Sequence, residues 1–373
     1  MKAKINTPFS VTGYFGPKYF CDREEELNQL LQNLEGGLST TMISLRRIGK
    51  TALIRHLFHH LQSQYITVYL DILPTESLND LLNRFSSAII SEYSEESKPG
   101  KKLWKIIRSL RPVISYDTLS GAPLVSIRAT PGESKNSIEE LLTALEEQSK
   151  PVVIAIDEFQ QITKYPEKQT DAWLRSLVQH LNNVSFIFTG SQQQIMADLF
   201  ANPERPFFRS TQFLKMSKLK EDVYRNFIIK KFKEHSRSIS EDTVTEMLNW
   251  ADFHTYYVQL LCNRVFLSSG KIISTDSWKE EASKILKEQE FVFYGYRDML
   301  TRHQWELLKA VAKESKVYQP TSSDFIAKHS LGNPATVLRS LNSLLKMELI
   351  YKERDSEGNS YYGVYDVFFG KWI

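Results

Sequence analysis

The strongest constraint on the fold is an alternation of apolar runs with amphipathic stretches over residues 1–216. TTMISL (40–45), YITVYLDI (65–72), PVVIAIDEF (151–159) and VSFIFTGS (184–191) are almost continuously apolar or β-branched, and TQFLKM (211–216) is a weaker fifth run. A strand that is apolar on both faces has to be covered on both faces, which in a strand–helix alternation means a parallel sheet between two helical layers. The intervening segments supply the helices. DREEELNQLLQNLE (22–35) carries acids early and Leu27, Leu30, Leu31 and Leu34 at helical spacing, and Gly36-Gly37 stops it. Leu53, Ile54, Leu57, Phe58 and Leu61 repeat the pattern over 51–62, and Trp173, Leu174, Leu177 and Leu181 form another stripe. Ser137-x-x-Glu140 reads as a capping box.

One stretch breaks the alternation. Residues 111–129 hold two β-like arms around Ser120-Gly121, the pattern of an inserted hairpin. From residue 217 the strands disappear, and 219–235, 241–250, 253–268 and 275–294 read as helices. The end of the chain changes character again. Helical patterns at 302–314, 321–328 and 335–347 precede LIYKERD and SYYGVYD, joined by Ser356-Glu357-Gly358-Asn359. Three helices and a hairpin are the order of a winged helix-turn-helix. The expected organisation is an α/β domain over 1–216, an all-α lid over 217–296 and a winged helix over 297–373.

Composition narrows the setting. No apolar run approaches the roughly 18 residues that span a bilayer, and MKAKINTPFSVTGYFG lacks the apolar core of a signal peptide. Cys21 and Cys262 are the two cysteines, far apart and without metal-ligand spacing. A cytoplasmic protein with no membrane partner is the expectation. The net charge of +3 is too small to argue for nucleic acid by itself.

The chemistry begins where the first strand ends. Ser44-Leu45-Arg46-Arg47-Ile48-Gly49-Lys50-Thr51 matches GxxxxGK[ST] except that Ser44 stands in the first glycine's place. In that pattern the amides of the loop and of the next helix's first turn, here through Ile48 to Ala52, wrap phosphates at a helix end of partial positive charge. Gly49 permits close backbone approach, Lys50 reaches the β- and γ-phosphates, and the Thr51 hydroxyl ligates Mg²⁺. GKT alone is common; a strand before it and a helix after it make a nucleotide site the better reading. Asp157-Glu158 ends the most apolar strand, where an aspartate holds magnesium and a glutamate polarises the attacking water. Strands also end in acids at a solvent boundary, but the two motifs together point to ATP with Mg²⁺. Thr189-Gly190-Ser191 ends the fourth strand; a hydroxyl there can sense the γ-phosphate, or Ser191 can cap the next helix. Arg205 and Arg209 precede the fifth strand, as an arginine finger or as solvated surface residues; for Arg205 the surface reading is preferred.

With these residues in place, the chain resembles the archaeal-type ATPase family, a STAND-related branch of the AAA-like P-loop ATPases. The resemblance covers nearly the whole chain. YFCDREEELNQL is similar to that family's GRExEL-like entry segment, which implies that Phe20 and Arg23 border the adenine pocket. SLRRIGKTAL looks like its PRRxGKTSL loop, with Arg46 and Arg47 kept. VVIAIDEFQ and FIFTGSQQQIM with PFFRS look like its second motif and its sensor strand, which implies Thr189 as a sensor and puts Arg209 ahead of Arg205. ADFHTYYVQLLCN resembles its GHPYYLQ segment, with Thr255 for the proline; this implies that His254 can approach the phosphates, although capping of the helix is the more frequent role of a histidine so placed. YDVFFGKWI resembles the closing strand of its winged helix. What the resemblance implies is a slowly hydrolysing ATPase switch, in which ATP clamps the sheet domain against the lid and hydrolysis releases the winged helix. Oligomeric state stays open, with Arg209 acting in its own chain or across an interface.

The winged helix says less about its partner. Residues 298–373 hold ten Lys or Arg and nine Asp or Glu, a net of +1, and DNA affinity rests largely on phosphate neutralisation. Helix 335–347 offers Arg339 and Lys346, while Leu338, Leu341, Leu344 and Leu345 read as core. A protein partner is therefore the main reading and a DNA-binding or DNA-remodelling ATPase, resembling replication initiators, the alternative. Lys50→Ala is expected to abolish nucleotide binding. Glu158→Gln is expected to bind ATP and lose turnover, as phosphate release in single-turnover assays will show; wild-type hydrolysis in that variant removes Glu158 from the reaction.

Overall fold

The computed structural model describes residues 7–62, 64–118 and 121–373. Two compact units emerge: one is Gly13–Ser217, the other joins the N-terminal segment through Thr12 to Lys218–Ile373.

The first unit opens with α1 (Glu24–Glu35), β1 (Thr40–Ser44), α2 (Lys50–Leu61), β2 (Ile66–Asp71), α3 (Leu78–Glu92) and α4 (Lys98–Ser109). A hairpin of β3 (Val113–Tyr116) and β4 (Pro123–Ser126) follows, then α5 (Pro131–Glu146) and β5 (Val152–Asp157). It closes with α6 (Thr170–Val178), β6 (Val184–Gly190), α7 (Gln193–Ala201) and β7 (Gln212–Met216). The sheet is parallel in the order β2-β5-β6-β1-β7. Every residue of β5 is buried, as a continuously apolar strand covered on both faces requires. The register sets Asp71 beside Asp157 and Met42 beside Thr189. The ends of β1, β5 and β6 thus share one edge, where ligands of open α/β sheets bind.

Under that edge Phe159, Phe188, Phe200 and Phe207 form one aromatic cluster, with centroids 4.5 Å apart for Phe159–Phe188 and 5.1 Å for Phe200–Phe207. All four are essentially inaccessible to solvent. Phe207 therefore anchors the segment that carries Arg209, through apolar burial worth about 1.5–3 kcal/mol per large side chain.

The expected hairpin is present as β3–β4, antiparallel; Ser120 of its turn lies outside the described residues. Its docking combines burial of Val125 and Ile127 in the core with a row of polar contacts. Asn79, Asn83 and Ser87, four apart along α3, accept the amides of Val125, Ile127 and Ala129: Ser87 Oγ from Val125 at 2.9 Å, Asn83 Oδ1 from Ile127 at 2.8 Å, Asn79 Oδ1 from Ala129 at 3.1 Å. A helix repeat of 3.6 residues meets a strand repeat of 2, so one side-chain row satisfies the amides that β4 would otherwise leave unpaired. The capping box needs correction. Ser137 lies buried inside α5 and donates to the Glu133 carbonyl. The box is Thr130 with Glu133, because Pro131 fits the first helical position and its missing N–H costs nothing there.

The second unit contains α8 (Glu221–Glu234), β8 (Ser238–Ile239), α9 (Glu241–Trp250), α10 (Thr255–Ser268), β9 (Ile272–Ile273) and α11 (Thr275–Met299). The lid is helical as expected, apart from the two-residue parallel pair β8–β9, too short to show as a pattern. Phe9 is fully buried against Phe232 and Phe266, and Asn263 donates to its carbonyl at 2.8 Å, which fastens the N-terminal segment here.

The winged helix consists of α12 (Arg302–Glu314), α13 (Ser323–His329), α14 (Pro334–Lys346), β10 (Ile350–Arg354), β11 (Ser360–Val364) and α15 (Val367–Trp372). The last element corrects an expectation: VFFGKW is a helix and not a closing strand. Asp366 accepts the amides of Phe368 and Phe369 at 3.0 and 3.2 Å and so nucleates a turn. Phe369 and Trp372 then pack on Phe293 of α11. Leu341 and Leu344 are core, but Leu338 is 50% exposed and Leu345 half-buried, because α14 turns those positions away from α12. Asn83→Ala is expected to cost about 1–2 kcal/mol by stranding the Ile127 amide, measurable as a lower urea midpoint with faster exchange at that amide.

Candidate active site

The carboxylate of Asp157 collects the site. Its Oδ2 accepts from Thr51 Oγ1 at 2.7 Å and from Tyr69 OH at 2.7 Å. Its Oδ1 accepts from the Thr189 hydroxyl and from the Glu158 amide, the latter at 3.0 Å. One buried acid thus ties together α2, β2, β5 and β6. Burial, then the neighbouring Asp157 charge, pushes the Tyr69 phenol far above its usual range, so it remains a donor.

The loop after β1 takes its shape from Gly49, whose φ of 107° no other residue adopts without strain. Arg47 also sits in the left-handed region, at φ 60°. Ser44 is in extended backbone at the end of β1, so its place needs no glycine, and its hydroxyl does work there. Lys50 Nζ donates to Ser44 Oγ at 3.2 Å and to the Leu45 carbonyl at 3.4 Å. Lys50 is buried. Burial lowers its pKa, and the charges of Asp157 and Glu158 oppose that shift.

Glu158 stands at φ 57°, which aims its side chain sideways from the end of β5. Its Oε2 accepts from Ser191 Oγ at 2.8 Å and from Gln160 Nε2 at 2.5 Å. Arg46 Nε reaches the same serine hydroxyl at 3.4 Å. Ser191 is therefore not the cap of α7, whose N-cap is Gln192. Gly190 leaves the space for Gln160: a Cβ there would lie 2.3 Å from Gln160 Oε1 and 2.6 Å from Met196. Gln160 and Tyr69 are the residues that sequence reasoning missed. The only signal for Tyr69 was a tyrosine two positions before Asp71 on the strand paired with β5.

The other candidates are more dispersed. Phe20 stacks on His56 at 4.3 Å, one turn beyond Ala52 on α2, and Tyr14 OH bonds His56 Nδ1 at 2.8 Å. Arg23 is buried, and its Nη1 binds Glu26 Oε1 at 2.6 Å and the Ser217 carbonyl at 2.7 Å. Arg205 is paired with Asp198 and Asp171 on the surface. Arg209 is exposed at φ 51°, its guanidinium 5.2 Å over Phe208, outside the hydrogen-bonded cluster. His254 belongs to the other compact unit, where it begins α10 and its ring packs edge-on to Tyr257 at 4.9 Å.

Comparison with known proteins decides the family. The model of an ATPase domain predominantly from Archaea matches residues 20–261, and a probable winged helix domain matches 291–373. The chain belongs to this archaeal-type ATPase family. Among solved structures, a Walker-type ATPase of Pyrococcus abyssi shares the fold with a TM-score of 0.69 at 17% identity, covering 98% of this chain and 99% of that one. The Aeropyrum pernix ORC2 protein in ADPNP–ADP complexes gives 0.61 at 12%, covering 95% and 92%. The Aeropyrum pernix ORC1 protein in complex with DNA gives 0.50 at 14%, covering 95% and 93%. No curated protein matched. The archaeal-type ATPase is thus an ATP-hydrolysing enzyme with a parallel P-loop sheet, an all-α lid and a winged helix. Among the described residues no helix is long and apolar enough to cross a membrane.

His56 gives the sheet unit an acid-sensitive element. Burial, then the charges of His60 and His59, lowers its pKa from 6.5 to about 4. Between those values the unfolded chain binds a proton that the folded chain refuses, so stability is lost as pH falls from 6.5 towards 4 and is constant above. Thermal midpoints are expected to drop more steeply over that window in the wild type than in His56→Gln.

Proposed function

We propose that this ATPase is a nucleotide-controlled switch that engages duplex DNA through its winged helix. The observation that carries the reading is the distribution of charge on α14. The domain's net +1 is nearly neutral, yet α14 contains no acid, and Arg339, Asn342 and Lys346 are exposed along it. Several of the acids are engaged elsewhere: Glu306 with Lys309, Glu314 with Lys328 and His329, and Asp366 as the cap of α15. On the wing, Lys352 and Arg354 are exposed. The second helix of a helix-turn-helix is the element that enters the major groove. The shared domain order with an ORC1 protein in complex with DNA supports the same choice.

At the sheet, the loop amides from Arg46 to Ala52 and Lys50 take the phosphates. The fit to Mg²⁺ is chemical. Thr51 spends its hydroxyl hydrogen on Asp157, which leaves its oxygen lone pairs for a cation, and Asp157 supplies the negative charge. Thr51 and Asp157 would hold Mg²⁺, which would supply charge neutralisation to bound phosphates. Glu158 is the base that orients water, and it has to leave Ser191 and Gln160 to do so. Arg209 then serves as the cation for charge developing on the transferred phosphoryl group. Thr189, through Asp157, reports the γ-phosphate, and Phe20 and Arg23 border the base.

A protein partner is the second reading. Leu338 and Tyr318 are about half exposed beside a hollow of about 360 Å³ that Lys352 and Tyr362 also line, a mixed surface suited to a side-chain anchor. Anisotropy with a random duplex decides between them, in ADP and in a non-hydrolysable ATP analogue, at rising salt. DNA binding is expected to weaken with salt, and Arg339→Ala with Lys346→Ala to lower the log–log slope by about two. No binding in either nucleotide state sinks the DNA reading.

A further inference from the structure

We infer that Tyr69 is a positioning residue for the cation, acting through Asp157. The inference rests on the reading of Thr51 and Asp157 as the Mg²⁺ ligands. Tyr69 lies on β2, the strand adjacent to β5, and its hydroxyl reaches Asp157 Oδ2 at 2.7 Å, the same oxygen that Thr51 Oγ1 reaches at 2.7 Å. A carboxylate on the last residue of a strand can swing about its Cα–Cβ bond. Two donors on Oδ2 and two on Oδ1 leave it a single orientation.

The tyrosine is itself fixed. Arg55 stands one helical turn beyond Thr51 on α2, and its guanidinium lies 4.1 Å from the centre of the Tyr69 ring. Arg55 also faces Glu92 of α3 at 3.6 Å. The contacts close a ring: Thr51 to Asp157, Asp157 to Tyr69, Tyr69 to Arg55, and Arg55 back along α2 to Thr51. A helix that presents one cation ligand therefore also holds the residue that orients the other. Without the phenol, Asp157 keeps its charge and three of its donors but gains a degree of freedom on the oxygen that Thr51 shares. Partners of this kind around metal ligands change metal affinity by about 10–100-fold.

The test is Tyr69→Phe in the full chain, which keeps the ring and its contact with Arg55. A fluorescent ADP is titrated in EDTA, and Mg²⁺ is then titrated into the complex. The expected result is unchanged ADP affinity in EDTA, with about tenfold more Mg²⁺ needed for half-saturation and a lower kcat at limiting Mg²⁺ that excess Mg²⁺ restores. Equal Mg²⁺ half-saturation in the two proteins overturns the inference. So does an equal loss of affinity with and without Mg²⁺, which makes Tyr69 a packing residue only. If Mg²⁺ does not alter wild-type affinity, the assignment of Thr51 and Asp157 fails first and takes the inference with it. The DNA reading is untouched by any of these results.

Discussion

Four hydrogen bonds onto one aspartate organise this molecule's chemistry. Asp157 ends a strand with no solvent-facing side, so its charge is compensated by the nearby Lys50 and by four donors, and each donor comes with a different element: Thr51 with α2, Tyr69 with β2, Thr189 with β6 and the amide of Glu158 with the following turn. Removing one member of such a set costs more than an ordinary hydrogen bond, because a buried carboxylate left short of partners keeps its full desolvation penalty. The positions of the loop after β1, the end of β6 and Glu158 relative to one another all follow from that acid being satisfied.

The residues around it are held in backbone conformations that most side chains avoid. Gly49, Arg47 and Glu158 all have positive φ, as does Arg209 beyond α7. A non-glycine residue held there costs of order 1–3 kcal/mol, and the Phe159–Phe188–Phe200–Phe207 cluster beneath Glu158 and Arg209 is the packing that offsets it. In Glu158 the strain has a direction. It turns the carboxylate from the line of β5 towards Ser191 and Gln160, which hold it by hydrogen bonds.

The sequence made the sheet, the lid helices and the phosphate loop legible for a physical reason. Buried parallel strands are written as continuous apolar runs, and GKT after one of them has a single common structural context. The misses share a cause as well. α3 turns Asn79, Asn83 and Ser87 towards the hairpin, so its buried face is partly polar and its apolar stripe is interrupted. Tyr69 read as an ordinary β-former, since a strand pattern does not say which hydroxyl meets which acid across the sheet. Ser137 had the letters of a capping box, but Thr130-Pro131 claimed the helix start. In the final segment an aromatic run after a strand looked like another strand, and only Asp366 at its head distinguishes the helix that forms. Leu338 carried the right spacing for a core position, and the crossing of α12 and α14 turned it outward.

That final helix ties the winged helix to the lid. α15 belongs to the winged helix in sequence, yet Phe369 and Trp372 pack on Phe293 of the lid's long α11. Phe368 packs between Trp250 and Tyr257, and the Tyr257 hydroxyl donates to the Tyr365 carbonyl at 3.3 Å. Detaching the winged helix from the lid would expose several of these aromatic side chains, each worth about 1.5–3 kcal/mol in burial. A release of the winged helix from the lid is therefore a costly motion. The lid and winged helix therefore hold together through this aromatic block, which the edge-to-face contact of His254 and Tyr257 extends to the start of α10.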